Sequence, residues 1–492
     1  MKKKIIIIVL ALFLTPLLMG ATSYTYSYWG EVLHSDPGMT FTASINAEEL
    51  GVNLVSPEDL VVYNNQIYIV DSKANSLIVI DSDFSLVEEI TTFDYTQDYI
   101  DILSDKGITD ETSLTLSSPY GVDVTDSGIF ICDTSNYRIV KLNHNYEVVN
   151  TFSDMDDLTF ENINFEPKKI TVDSTDRMYV VAKNIYEGIM EINSDGSFNR
   201  YTGVNPIKMT PIEIFKRKLM TEEQIAQLQL YLPTEYTNVQ IDERNFIYAT
   251  SKVSDNNAEN PIQLINPKGI DVIKRNGYQP PMGDVQYVIG MNSYVVDGPS
   301  TLVDIASRED GIYTVLDQKR SRLFTYDAEG YLLYIDGDEG NQIDKFSEGV
   351  AIAYFGENLL VLDRGTKTIV VYAPTEFGEN VNLAIHYYNL GDYEKTAEIW
   401  EKVIKMNSNY EIAYNGIGKM LLRNGEYHEA MLYFELGHDQ YYYSKAFKEY
   451  RNVIIKDHFG EIMGGIVLIT VGLIGIKIYK THKKGGTLLY ED

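Results

Sequence analysis

Three residues with oxygen-bearing side chains stand near the starts of short apolar segments: Glu58, Asp59 and Asn238. Carboxylate and amide oxygens are the ligands that Ca²⁺ prefers, so these side chains would make a calcium site if the fold brought them together. Lys168 stands at a comparable place, and its positive charge would oppose a cation. The sequence therefore leaves Ca²⁺ binding open and gives no reason to expect any other cofactor.

Other patterns typical of enzymes are absent from the sequence. It contains no phosphate-binding glycine loop, no G-x-S-x-G nucleophile motif and no zinc signature. The histidines have no spacing typical of metal ligands; they are His34, His144, His386, His428, His438, His458 and His482. These features favour a protein without catalysis.

The composition bounds the class of protein. A chain of 492 residues is too long for one ordinary domain, and its 44% hydrophobic residues can bury sizeable cores,. The net charge of -30 and the lack of a basic stripe exclude a nucleic-acid-binding role. The single cysteine, Cys132, excludes an internal disulfide,.

The residues that could do chemistry belong to a segment that repeats itself. Each copy consists of short apolar runs separated by turns of Asn, Asp and Gly, which is typical of a small antiparallel sheet. Such sheets need neighbours to cover their faces, so the repetition predicts a six-bladed β-propeller and a mainly β fold. The copies begin near Pro57, Pro119, Pro167, Tyr236, Ser300 and Gly349.

One copy, Pro119 to Leu142, resembles the NHL repeat, including its stretch Asp133-x-x-Asn136-x-Arg138. The chain thus resembles bacterial NHL-repeat proteins, which implies an NHL-type propeller over residues 24–375. An Asp recurs at Asp71, Asp133, Asp317 and Asp363. A metal-binding role is one interpretation of these carboxylates, and we expect instead that each closes a tight turn by accepting backbone N–H groups.

In a propeller the starts of the repeats meet at the mouth of a central channel. The candidate ligand-binding residues there are Glu58, Asp59, Tyr120, Lys168 and Asn238. The chain is also similar to gluconolactonase-like propellers, which hold a divalent cation in this channel. That similarity implies a metal-dependent hydrolase as the alternative function, although the longer motifs of a lactonase are missing.

Aromatic residues alternate near the N-terminus, at Tyr24, Tyr26 and Tyr28, and Trp29 follows them. The alternation predicts an extended strand with one aromatic face. Two interpretations compete: exposed rings that stack on a sugar, or a strand that packs on the propeller.

The two ends of the chain carry membrane-targeting patterns. Residues 1–23 combine three lysines, an apolar run and small residues, as a secretory signal peptide does,. Residues 459–479 are apolar enough for one transmembrane helix, and four lysines from Lys477 to Lys484 follow its apolar centre,. The positive-inside rule then places the tail, residues 480–492, in the cytoplasm and the N-terminal domains outside it.

Two helical patterns complete the organisation. Thr221-x-x-Gln224 is a capping box and predicts a helical insertion at about residues 210–235,. Further on, Gly391 and Gly425, and likewise Trp400 and Phe434, are 34 residues apart, so residues 376–458 resemble tetratricopeptide repeats,. Such repeats usually bind proteins, and a rigid spacer is the other interpretation.

The sequence therefore predicts a cell-membrane protein with a single span, whose propeller and helical repeats form an extracytoplasmic binding or assembly module. The expected partner is an envelope protein complex or an extracellular glycan.

Overall fold

A computed structural model describes residues 23–108, 111–153, 164–204, 220, 235–252, 260–284 and 299–486. The chain divides into two compact units, Met1–Ile385 and His386–Asp492. The predicted signal peptide, apart from Ser23, and nearly all of the predicted helical insertion lie outside the described residues.

The first unit is a six-bladed β-propeller. The inner strand of each blade contacts the inner strand of the next, and blade 6 contacts blade 1, which closes the ring. The strands of blades 1 to 3 are Pro57–Tyr63, Gln66–Asp71, Ser76–Ile80 and Leu86–Ile90; Pro119–Thr125, Gly128–Asp133, Arg138–Leu142 and Val148–Phe152; and Pro167–Val172, Met178–Ala182, Ile189–Ile192 and Phe198–Thr202.

Blades 4 to 6 follow the same antiparallel order. Their strands are Tyr236–Ile241, Ile247–Ser251 and Ile262–Ile265; Leu302–Ser307, Tyr313–Asp317, Arg322–Tyr326 and Leu332–Asp336; and Gly349–Phe355, Asn358–Asp363 and Thr368–Pro374. A separate pair of strands, Thr92–Asp94 and Ser113–Thr115, lies between blades 1 and 2 in the chain. The short helices among the described residues of this unit are Ala47–Leu50, Gln97–Asp105 and the 3₁₀ turn Thr134–Asn136.

Residues from the N-terminal segment complete the last two blades. The strand Met39–Asn46 pairs with Thr368–Pro374 and forms the outer strand of blade 6. The strand Tyr24–Tyr26 pairs with blade 5 at Ile335, and Val32–His34 pairs with Tyr24–Tyr26 in turn. The ring is therefore closed by strands from both ends of the propeller sequence.

The core lies between the blades, because the sheet of each blade packs against the sheets of the two adjacent blades. Successive side chains of a strand point to opposite faces. In blade 1, Ile69 packs in one cluster with Leu360 of blade 6, whereas Val70 packs in another with Ile131 of blade 2. Each such buried aliphatic side chain contributes about 1.5–3 kcal/mol, which explains why the middle strands are almost wholly apolar.

The recurring aspartates close turns, as predicted. The carboxylate of Asp71 accepts the N–H groups of Val55 at 2.6 Å, Ser56 at 2.9 Å and Ala74 at 2.8 Å, so it ties the end of one strand to the entry of its blade. Asp133, Asp317 and Asp363 accept the equivalent entry N–H groups of Ser117, Thr301 and Ser347. These carboxylates stabilise the fold and are not available to a ligand.

The C-terminal part of the described chain is helical. Gly418 lies against the ring of the fully buried Phe434, where a Cβ atom would come within 2.8 Å of it. Gly425 ends one helix in a left-handed conformation, with φ of 85°. The helices are Glu376–Leu390, Tyr393–Met406, Glu411–Asn424, Tyr427–Leu436, Gln440–Asp457 and Phe459–Gly486.

The last of these helices is apolar. Over Phe459–Lys483 its mean hydropathy reaches 2.1, and it is long and apolar enough to cross a membrane. From Phe459 to Lys483 its side chains are exposed rather than packed in a protein core.

Candidate functional site

A pocket of about 210 Å³ lies where the six blades begin. Every blade contributes at least one residue from the start of its inner strand, so the pocket occupies one end of the central channel. Of the predicted site residues, Glu58, Tyr120 and Lys168 line it. The sequence did not single out the other charged lining residues, which are Lys169, Glu235, Lys252 and Arg364.

An ion pair between blades 1 and 3 joins Lys169 of the pocket wall to Asp59. The Lys169 ammonium lies 2.6 Å from the Asp59 carboxylate and donates to the Glu58 carbonyl at 3.3 Å. Burial by itself would lower the pKa of Lys169, but the charges of Asp59 and Asp304 outweigh it and hold this pKa above the ordinary value,. Lys169 is therefore charged, and Asp59 faces it rather than the pocket.

A second ion pair fixes Glu58. One carboxylate oxygen accepts from the Arg364 guanidinium at 2.6 Å, and the other accepts from the hydroxyls of Ser56 at 3.1 Å and Ser72 at 2.9 Å. Arg364 also donates to Glu348 at 2.5 Å. This hydrogen bond to Glu348 is the main reason why the pKa of Arg364 is raised.

Lys168 differs from the other cations of the pocket. Its ammonium lies 4.8 Å from the centre of the Tyr120 ring, a cation–π geometry. Lys252 pairs with Glu235 at 2.5 Å, whereas no carboxylate of the described residues lies within 4.0 Å of the Lys168 ammonium. Burial lowers the pKa of Lys168,.

Asn238 lies beside the pocket rather than in it. Its side-chain amide donates to the Asp304 carboxylate, and both side chains are buried. Asp304 belongs to a ring of side chains on the inner strands, each of which accepts a backbone N–H of the next blade. The pairs are Asp59 with Val122, Asp123 with Val172, Thr171 with Ile241, Gln240 with Ser307, and Asp304 with Ile352.

The predicted calcium ligands all have protein partners. Glu58 binds Arg364, Asp59 binds Lys169, and Asn238 binds Asp304. Within the described ranges, no group of three or more His, Cys, Asp or Glu side chains could hold a metal ion. A divalent cation at the channel mouth would have to displace a lysine and an arginine.

The N-terminal aromatic residues divide between the two interpretations. The hydroxyls of Tyr24, at 2.9 Å, and Tyr26 both donate to the carboxylate of Asp284, so these rings pack on the propeller. Trp29 is 74% exposed. The Tyr28 ring makes T-shaped contacts with the rings of Trp29 and Tyr278, whose centres lie 5.0 and 6.0 Å away. Of these four N-terminal aromatic side chains, Trp29 is the one that the structure leaves exposed.

A buried carboxylate holds the segment that follows. Asp336, at the end of blade 5, accepts from the Ser23 hydroxyl at 3.1 Å, the Gly38 N–H at 3.1 Å and the Met39 N–H at 2.8 Å. Burial raises its pKa to about 7. Asp336 thus connects blade 5 to the strand that completes blade 6.

No protein-family model and no curated protein sequence matches the chain. Among solved structures it is similar to virginiamycin B lyase from Staphylococcus aureus, with 12% identity, a TM-score of 0.40, and coverage of 68% of this chain and 100% of that one. A Bacteroides thetaiotaomicron protein of unknown function has 11% identity and a TM-score of 0.40, with 70% and 77% covered. PorZ, a surface component of the type-IX secretion system of Porphyromonas gingivalis, has 10% identity and a TM-score of 0.32, with 68% and 40% covered. Likenesses of this size assign no activity to the chain.

Proposed function

We propose that this protein is a membrane-anchored binding and assembly module outside the cytoplasm, in which an NHL-type propeller and tetratricopeptide-like helices engage an envelope protein complex or an extracellular glycan. The proposed order is a signal peptide, residues 1–23; the propeller, 24–375; the helical domain, 376–458; a transmembrane helix, 459–479; and a cytoplasmic tail, 480–492. The observation that carries the proposal is the channel-end pocket, to which all six blades contribute.

The construction of the pocket supports binding rather than catalysis. Arg364 and Lys169 neutralise the carboxylates of Glu58 and Asp59, so neither is poised as a general base or a metal ligand. The same ion pairs fix the walls before any ligand arrives, and such preorganisation reduces the entropic cost of binding. A metal-dependent hydrolase is the competing hypothesis, and these ion pairs weigh against it.

The proposed location is supported by the apolar helix and by the lysines that follow its centre. Cys132 is fully buried, so single cysteines introduced at exposed positions report location with little background. In intact cells, a membrane-impermeant maleimide should label Ser82→Cys on the propeller and should label Thr481→Cys only after permeabilisation. The reverse pattern would contradict the proposed orientation.

Binding is tested in native membranes. A photoreactive amino acid replaces Lys252 at the pocket, and in a matched control it replaces Leu86, which lies on an outer strand and is 38% exposed. We expect an adduct with a protein or glycan of the envelope from position 252 that is absent from position 86. Equal adducts from both positions, or none from either, would contradict a binding role for the channel end.

A further inference from the structure

We propose that the channel pocket binds a small ligand with a carboxylate group, and that the Lys168 ammonium receives this carboxylate. The inference deepens the proposed binding function and rests on it. It starts from the cation in the pocket wall that has no carboxylate of the described chain within 4.0 Å.

The ion pairs in the pocket wall favour a negatively charged ligand over a positively charged one. Glu58 and Glu235 already have cations at 2.6 and 2.5 Å, so a cationic ligand would have to compete with Arg364 and Lys252. Lys168 offers an ammonium that lies against the Tyr120 ring. An incoming carboxylate would supply a charged partner, which the described residues do not place within 4.0 Å of this ammonium, and hydrogen bonds between charged groups are the strong ones.

Burial makes the pairing stronger. Lys168 is half-buried, and a charge pair removed from water interacts more strongly than one on the surface. Burial lowers the pKa of Lys168, and a bound carboxylate would raise it again by favouring the charged form. The chain carries a net charge of -30, which repels anions at long range, so binding depends on this local contact rather than on a general attraction.

The volume limits the size of the ligand. The pocket of about 210 Å³ lies below the ~300–1,000 Å³ typical of sites for drug-sized molecules. It therefore suits one sugar ring or a molecule of similar size rather than a length of polymer. A single uronic acid, either free or at the end of a glycan, combines this size with a carboxylate.

The experiment is a calorimetric titration of the full chain in detergent with glucuronate, and with glucose as the neutral probe of the same ring size. We expect glucuronate to bind at least tenfold more tightly than glucose. Lys168→Met should weaken glucuronate binding at least tenfold, because a hydrogen bond to a charged group is worth about 1.5–3 kcal/mol. The control Lys274→Met removes a lysine that pairs with Glu329 outside the pocket, and it should bind glucuronate as the original protein does.

Two further results decide the matter. Lys168→Arg keeps the charge and should retain most of the glucuronate binding, which separates the role of the charge from an effect on folding. Equal affinity for glucose and glucuronate, no binding of either, or unchanged affinity in Lys168→Met would overturn the inference. Those outcomes would leave the envelope adduct from position 252 unaffected, so a failure of this inference and a failure of the proposed function are distinguishable.

Discussion

The substitution Asp336→Asn tests how the N-terminal segment is attached to the propeller. Asp336 is buried, and three donors surround its two oxygens: the Ser23 hydroxyl and the Gly38 and Met39 N–H groups. Burial is the largest effect on its pKa and raises it to about 7 from 3.8, although these three hydrogen bonds and the charge of Arg322 act in the opposite direction. The carboxyl group therefore binds its proton more tightly in the folded protein than in the unfolded chain.

The sign of the pH dependence follows from this difference. Between pH 3.8 and about 7 the unfolded chain binds fewer protons than the folded protein, so the contribution of Asp336 to stability is complete below this range and is lost as the pH rises through it. A shift of this size corresponds to about 4 kcal/mol at about 1.4 kcal/mol per pKa unit. Asn cannot ionise, but it loses one acceptor, which costs about 1–3 kcal/mol.

We therefore expect the original protein to be the more stable of the two at low pH and Asp336→Asn to be the more stable at high pH. Asp336→Asn should be less stable than the original protein by about 1–3 kcal/mol at pH 4 and more stable by a similar amount at pH 8. The assay is guanidinium unfolding of the full chain in detergent, followed by the circular dichroism of the β-sheet across this pH range. Asp83→Asn, on an exposed turn of blade 1, removes the same charge and should not change the pH profile.

One result would refute the reasoning. The measured quantity is the free energy of unfolding of Asp336→Asn minus that of the original protein. If this difference were more negative at pH 8 than at pH 4, the hydrogen bonds to the ionised carboxylate would outweigh the effect of its burial. Asp336 would then act as an ordinary anionic acceptor, and the attachment of the N-terminal segment would strengthen as the pH rises.

Three further predictions concern other parts of the chain. Trp400 is 2% exposed, so Trp400→Ala should destabilise the helical unit by about 3–5 kcal/mol while the propeller unfolds as before. Circular dichroism and scanning calorimetry measure the two unfolding transitions, and loss of both together would contradict a separate helical domain. Trp29 is 74% exposed, so Trp29→Ala should change the free energy of unfolding by less than about 0.5 kcal/mol. In a Trp400→Phe variant, where Trp29 is the remaining tryptophan, iodide should quench the fluorescence strongly. Weak quenching would place Trp29 in a packed site. Elemental analysis of the full chain after dialysis against metal-free buffer should find well below one equivalent of Ca²⁺; near one equivalent, lost in Glu58→Ala, would favour the hydrolase hypothesis.

The blades were predictable from the sequence because their signal is local. Apolar runs and turn residues recur within each copy, and Asp71 and Asp133 each follow a proline by fourteen residues. The N–H groups that these carboxylates accept lie within a short stretch of chain. Local repetition of this kind gives both the number of sheets and the role of the aspartates.

The site was predictable only in part because a β-bulge interrupts the start of each inner strand. The pairing register shifts between Pro57 and Asp59 in blade 1 and between Tyr236 and Asn238 in blade 4. An extra residue changes which side chains face the channel. Asn238 is consequently turned toward Asp304, and its place beside the pocket could not be read from the spacing.

The remaining contacts depend on residues far apart in the chain. Arg364 reaches Glu58 across 306 positions, and Tyr24 reaches Asp284 across 260. A single amino-acid sequence does not show which distant residues will contact each other. The alternation of Tyr24, Tyr26 and Tyr28 predicted a strand, but the strand ends at Tyr26 and Tyr28 lies in a turn. The carboxylate that Tyr24 and Tyr26 contact could not be predicted in this way.

The outer strand of blade 6 has a consequence for biosynthesis. Thr42 donates to the Val371 carbonyl across 329 positions. The strand Met39–Asn46 therefore cannot pair until Thr368–Pro374, at the other end of the propeller sequence, is available. A chain that is made or threaded through a membrane from its N-terminus cannot close the ring until almost the whole propeller has emerged. The entropic cost of so long a closure rises only slowly with chain length, but contacts between distant residues form slowly. Met39–Asn46 therefore remains without its partner strand until Thr368–Pro374 has emerged, and an unpaired strand edge of this kind can pair with another chain.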